Sequence, residues 1–237
     1  MNRKRRNRAG FFLGILLLLF GSMPAAAARQ ESEPNQLFAT AACLMDGDTG
    51  RVLFGKRETD PMAMASTSKI MTCILALENA GPDTEVLISD RAASMPEVKL
   101  HAGKGEKYRL EDLLYSLMLE SHNDSAAAIA EAVGGSVENF ADMMNRKAAE
   151  LGCEDTYFLT PNGLDAKERK SGKIHSTTAA DLARILRYGI LFSPAWQGAS
   201  FQGRWRPLAG RGHANLLAIW PPSFAVQGRL RGSWAEQ

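Results

Sequence analysis

Ser66-Thr67-Ser68-Lys69 places a hydroxyl and an amine three residues apart at the start of a helical pattern. A serine hydroxyl is a weak nucleophile and needs an adjacent base. Positions i and i+3 share a helix face, so Lys69 can set its amine beside Ser66 without help from distant chain. The positive end of the helix dipole and burial both oppose a proton on that amine. The same helix start aims backbone N–H groups outward, and the Ser66 N–H can serve an oxyanion hole. A second group, Ser121-His122-Asn123, follows the apolar run Leu113 to Leu119 and precedes another helical stretch. Ser121 could relay a proton between Lys69 and a leaving amine, and Asn123 could hold Lys69 and donate to a substrate carbonyl. Alone neither motif is specific: S-x-x-K arises about once by chance in a chain of this length. The bland alternatives are a solvated lysine at a helix start and a serine that merely caps the next helix.

The elements around these residues can be read from periodicity. Ala39 to Met45 and Arg51 to Phe54 flank Asp46-Gly47-Asp48-Thr49-Gly50, which predicts a hairpin. From Ser66, Ile70, Cys73, Ile74 and Leu77 recur at helical spacing until Gly81-Pro82. Further helices are predicted over about 110–119, 124–133, 137–151 and 177–188, the last with a capping region at Ser176-Thr177-Thr178 and Asp181 in its first turns.

Four longer stretches surround the two short motifs. Ala65-Ser66-Thr67-Ser68-Lys69-Ile70-Met71-Thr72 and Ser121-His122-Asn123-Asp124-Ser125-Ala126-Ala127-Ala128-Ile129-Ala130-Glu131 come first. Phe158-Leu159-Thr160-Pro161-Asn162-Gly163-Leu164-Asp165 and His175-Ser176-Thr177-Thr178-Ala179-Ala180-Asp181-Leu182-Ala183 follow. In order and separation these resemble the penicillin-recognising serine enzymes, within them the low-molecular-weight penicillin-binding proteins that are D-alanyl-D-alanine carboxypeptidases. The resemblance covers about Ala39 to Pro194. It implies an α/β (α+β) fold of the β-lactamase/transpeptidase type, a helical cluster beside an antiparallel sheet. It implies Ser66 as the acylated nucleophile, Lys69 as proton acceptor, and Ser121 with Asn123 completing the site. The implied substrate is a peptidoglycan stem peptide ending in D-Ala-D-Ala, with β-lactams as covalent inhibitors and no cofactor. His122 stands where that family has a small residue and is expected to point away from the nucleophile.

One departure is large. The family carries a third motif, Lys-Thr-Gly or Lys-Ser-Gly, on a strand that binds the substrate carboxylate, and no lysine follows Lys173 here. All four tryptophans lie beyond Ser193, and from Ser200 five arginines face one acid, while residues 29–199 sum to −7. The tail does not alternate as strands should. The expected organisation is therefore a partial catalytic domain over 37–194, an incomplete sheet, and an atypical tail over 195–237 that is frameshifted or disordered. Three readings follow: a D-Ala-D-Ala carboxypeptidase of feeble activity, a non-catalytic fragment or pseudoenzyme that binds cell-wall peptide, and a β-lactamase. The last lacks the Glu-x-x-x-Asn segment that would position a deacylating water.

Residues 1–28 read as an export signal: Arg3, Lys4, Arg5, Arg6 and Arg8, an apolar run Phe11 to Phe20, then Ala25 to Ala28. Residues 29–36 read as a polar linker. Without the signal the net charge of +2 becomes 23 basic against 26 acidic residues, or −3. No basic cluster is interleaved with stacking aromatics, which excludes a nucleic-acid binder. Cys43, Cys73 and Cys153 read as buried hydrophobes, and the four histidines form no ligand motif, so no metal is expected. The expected location is the outer side of the cytoplasmic membrane, with membrane attachment arising only through a C-terminal region that this sequence does not contain.

Overall fold

The computed structural model describes residues 37–193, 215–220 and 226–228. The signal and linker readings, residues 1–28 and 29–36, lie outside the described residues, as does most of the tail. The predicted hairpin forms as β1 (Ala41–Asp46) and β2 (Val52–Lys56), antiparallel with Ala42 opposite Lys56. Its turn is closed by Asp46, whose carboxylate accepts the Thr49 N–H at 2.8 Å and the Thr49 hydroxyl at 2.6 Å. Two short pairings outside the sequence reading bracket the helical region. β3 (Met62–Ala63) pairs with β6 (Ser176–Thr177), and β4 (Glu85–Leu87) with β5 (Lys107–Arg109).

Helix α1 (Ser68–Asn79) is buried from Ser68 through Ala76. It is apolar nearly all round because it packs on several neighbours rather than one, as a helix inside a domain must. Lys69 and Thr72 are the polar residues buried deep in its first turns, beside Ser68. A four-residue helix, α2 (Asp90–Ala93), and α3 (Leu110–Tyr115) precede the second motif. Helix α4 (Asn123–Gly134) presents Ala126, Ala127, Ala128 and Ala130 to the core, and these small side chains let α1 approach closely. It stops at Gly135, whose φ of 74° is the left-handed conformation that suits glycine. Helix α5 (Val137–Glu150) starts at Ser136, whose hydroxyl accepts the Asn139 N–H at 3.1 Å. Helix α6 (Ala179–Arg187) starts at Thr178, capped as its sequence predicts, and lies against the sheet with Leu182, Ile185 and Leu186 buried.

The sheet order is β2-β1-β7-β8, with β7 (Asn215–Trp220) and β8 (Val226–Gly228) drawn from the tail. Ala41 to Asp46 pair antiparallel with Trp220 to Asn215. The tail, whose sequence does not alternate as strands should, thus supplies two strands of this sheet. Leu216-Leu217-Ala218-Ile219-Trp220 is a continuous apolar run, the pattern of a strand covered on both faces, and a search for alternation passes over it. The fold is thus an α/β one, a helical cluster beside an antiparallel sheet. Among the described residues no helix is long and apolar enough to cross a membrane.

Asp181, 2% exposed, ties α6 to the chain that follows α5. It accepts the Asp155 N–H at 3.1 Å and the Thr156 hydroxyl at 2.8 Å, and pairs with Arg184. Asp181→Ala leaves those donors without their acceptor. We expect a loss of about 2 kcal/mol, a fall in Tm of roughly 4–8 °C. A thermal melt checks this; an unchanged midpoint would mean that the carboxylate is not the tie.

Candidate active site

Ser66 sits in a 3-10 turn, Ala65–Thr67, that runs directly into α1. Ala65 has φ 45°, a left-handed conformation unusual for alanine, and something outside the turn must hold it. The Thr67 N–H and hydroxyl both go to the Met64 carbonyl, and the Ser68 N–H and hydroxyl both go to the Ala65 carbonyl. Ser66 is left at the helix start, where its own N–H has no carbonyl one turn back to bind.

Lys69 lies one turn on and is 2% exposed. Its Nζ donates to Ser66 Oγ at 3.0 Å, Asn123 Oδ1 at 2.9 Å and the Asn162 carbonyl at 2.9 Å. Burial lowers its pKa from the ordinary 10.5 to about 8. At pH 7 an ordinary lysine is neutral in roughly one molecule in three thousand, and one with pKa near 8 in about a tenth. Three acceptors match the three hydrogens of an ammonium. When one proton leaves, the amine keeps Asn123 and Asn162 and turns a lone pair toward Ser66, whose hydroxyl then becomes the donor. That reversal is what a general base requires.

Asn123 opens α4, and its orientation is assigned by its neighbours. Its N–H donates to the Val98 carbonyl at 2.8 Å and its Nδ2 to the Pro96 carbonyl at 3.1 Å, so Oδ1 faces Lys69. Asp124 holds the same loop, accepting the N–H groups of Leu100 at 2.9 Å and Ala102 at 3.3 Å. His122 is turned to Ser116, Nδ1 to Oγ 2.7 Å, as expected of a residue pointing away from Ser66. Ser121 ends the preceding π-helical turn (Ser116–Glu120) in the left-handed region, φ 62°. The structure brings Ser66, Lys69 and Asn123 into one hydrogen-bonded group. Ser121, two residues before Asn123, takes none of the hydrogen bonds of Lys69.

The residues that sequence reasoning missed lie in the segment from Phe158 to Asp165. Pro161 offers its carbonyl to the Thr72 hydroxyl at 2.7 Å, and Asn162 offers its own to Lys69. Gly163 has φ 87°, and a Cβ there would overlap the Ala65 carbonyl and crowd the Ser66 nitrogen. Pro161-Asn162-Gly163 is a turn signal. It is legible as a bend, but not as the floor beneath a nucleophile.

Residues 27–195 match the family described as D-alanyl-D-alanine carboxypeptidase. Among curated proteins, the chain is 34% identical over 196 residues to D-alanyl-D-alanine carboxypeptidase DacF of Bacillus subtilis, covering 78% of this chain and 48% of that protein's length. Among solved structures, it is similar to D-alanyl-D-alanine carboxypeptidase DacD of Francisella tularensis, with TM-score 0.62, 34% identity, and 68% of this chain and 39% of the other covered. It is also similar to penicillin-binding protein D2 of Listeria monocytogenes in its ampicillin-bound form, with TM-score 0.56, 27% identity, and 66% and 63% covered. The chain thus spans about half the length of the first of these relatives.

Two outcomes follow from the geometry. Gly163→Ala costs about 1–2 kcal/mol for the left-handed backbone alone. It also displaces the Ala65–Ser66 peptide, so acylation by a fluorescent penicillin should slow on the order of 100-fold; a wild-type rate would reject this contact as the floor of the site. If Lys69 is the base for Ser66, the acylation rate constant should rise with pH and level off above about 8, because the neutral fraction of Lys69 grows as pH climbs through that pKa. A profile flat from pH 6 to 9.5 would remove Lys69 from the role of base.

Proposed function

Since the chain belongs to the D-alanyl-D-alanine carboxypeptidase family, we propose that it acts on the D-Ala-D-Ala end of peptidoglycan stem peptides through an acyl-enzyme on Ser66. The single observation that supports this best is the 3.0 Å contact between Ser66 Oγ and a buried Lys69 Nζ whose pKa is lowered to about 8. Neutral Lys69 takes the hydroxyl proton as Oγ attacks the carbonyl of the terminal peptide bond. The Ser66 N–H stabilises the oxyanion. The C–N bond breaks, and the proton passes from Lys69, through Ser121, to the departing D-alanine amine. Water then gives a proton to Lys69 as its oxygen bonds to the acyl carbon; the ester bond to Ser66 breaks, Oγ takes that proton from Lys69, and the shortened peptide leaves as an acid that ionises to its carboxylate. Asn123 keeps Lys69 aimed during both halves. A β-lactam is attacked at its ring carbonyl in the same way, the leaving nitrogen remaining tethered. The reading places this chemistry on the outer side of the cytoplasmic membrane, after removal of residues 1–28.

A second reading, in which the site acylates but turns over little, would hold if no third motif serves it; no lysine stands between Lys173 and Gln237. Without a carboxylate clamp and a second oxyanion donor, the rate would fall on the order of 10²–10³ or more. The test combines a fluorescent penicillin with a D-alanine release assay on a diacyl-lysyl-D-Ala-D-Ala mimic. Label should map to Ser66 and vanish in Ser66→Ala. Release should fall more than about tenfold below that of a relative carrying the third motif. Label that survives Ser66→Ala would sink the acyl-enzyme reading, and release within tenfold of that relative would sink the claim of feeble turnover.

A further inference from the structure

His175 has no part in the mechanism above, yet it is 3% exposed and wired to the nucleophile turn from 107 residues away. Its Nδ1 lies 2.9 Å from the Leu159 backbone nitrogen. A backbone N–H can only donate, so Nδ1 carries a lone pair, and in the neutral ring the proton sits on Nε2. Nε2 lies 2.9 Å from Ser68 Oγ, which therefore accepts. The Ser68 hydroxyl is then free to donate in one direction, to the Ala65 carbonyl at 3.1 Å. The Thr160 hydroxyl, 3.5 Å from Nε2, has its own acceptor in the Leu164 carbonyl at 3.0 Å. The result is a chain of one polarity: Leu159 N–H to His175, His175 to Ser68, Ser68 to Ala65. It ends on the residue whose left-handed φ of 45° has to be held from outside.

We infer that His175 is a positioning residue, which through Ser68 clamps the Ala65 carbonyl and thereby fixes the direction of Ser66 Oγ and of the Ser66 N–H. As a statement about acylation, this rests on the acyl-enzyme reading given above. The surroundings fit a ring that must stay neutral. Phe158 packs edge-on, with centroids 6.0 Å apart, and the backbone N–H of His175 is bound to the Ala166 carbonyl at 2.9 Å. Burial pushes the pKa down to about 4, against the opposing pull of Asp165, so the tautomer persists throughout the range where Lys69 can act. A protonated ring would present N–H to N–H at Leu159 and open the chain at its first link. Gly163 approaches the same carbonyl from beneath. Ala65 is thus fixed from two directions, by a donor and by a steric floor.

The test uses the full-length protein and two readouts. Long-range nitrogen–proton NMR on histidine-labelled protein at pH 7, with His175→Gln used for assignment, should show Nδ1 bare and Nε2 protonated. The opposite tautomer or a charged ring overturns the wiring. The second readout is the acylation rate constant with a fluorescent penicillin, measured well below each variant's Tm. Ser68→Ala and His175→Phe should each slow acylation about tenfold or more, and the double variant should be no slower than the worse single one. His175→Gln, which offers both an acceptor and a donor, should recover most of the rate. A merely structural role would lower Tm and leave the rate of the folded protein at the wild-type value; that result in Ser68→Ala overturns the inference, even if His175→Phe fails to fold. Wild-type protein that takes no label would instead sink the acyl-enzyme reading, while the tautomer still decides the wiring.

Discussion

The structure depends on one expensive act, the burial of the Lys69 amine. A charged ammonium taken out of water costs several kcal/mol unless it is paired or hydrogen-bonded. No carboxylate is among its hydrogen-bond partners: they are a hydroxyl, an amide oxygen and a backbone carbonyl. Such dipoles support an ammonium less than a charge would. The balance therefore shifts toward the neutral amine relative to an exposed lysine, in keeping with a pKa near 8. A carboxylate at Asn123 would have held the proton and ended the base's usefulness. The neutral amide orients the amine without capturing it.

Each of those three partners comes from a different part of the chain, and much of the remaining fold keeps them in place. Ser66 arrives with the helix itself. Asn123 arrives at the start of α4, which the alanines at 126–128 and 130 allow to lie close against α1. Asn162 arrives on a segment pinned just before it, at Pro161 through Thr72 and at Leu159 through His175. The tie at Asp181 anchors α6 to residues 155 and 156 just upstream of that segment. Stability and site geometry are thus not separate properties here, because the bonds that close the domain also deliver a carbonyl to Nζ.

What could be read in the sequence follows from the range of each contact. Ser66 and Lys69 are related by helical spacing, a local property, and Asn123 follows from the resemblance of its whole segment. The helices were legible for the same reason, since Ile70, Cys73, Ile74 and Leu77 repeat at the proper interval. The carbonyl of Asn162 was not legible, because every residue carries a carbonyl and only the fold selects one. Gly163 was visible as a turn former, but the need for glycine there comes from the Ala65 carbonyl 98 positions earlier in the chain. His175 belonged to no ligand motif, and its partners, a backbone N–H and Ser68, leave no spacing to find. Strand β7 was missed for a different reason: it is apolar throughout, and alternation was the wrong test.

The same division by range bears on the third motif. Among the described residues, the groups bonded to Lys69 and to the turn that carries Ser66 lie before residue 176: the turn at 64–69, the loop at 121–123, the segment at 158–165, and His175. What holds a substrate's carboxylate in the resembling family comes later in the chain, on a strand. Attack and substrate clamping are thus assigned to separate stretches, joined through β1, which pairs with the tail's β7 along its full length. Among the described residues, none of the hydrogen-bond partners of Nζ comes from the later stretch. A change confined to that stretch acts on how long a peptide carbonyl stays in line with Oγ, which is a matter of positioning and not of nucleophile strength. A nucleophile prepared by one part of the chain can therefore remain intact while the means of presenting peptide to it is altered, and for that reason acylation and turnover have to be measured apart in this protein.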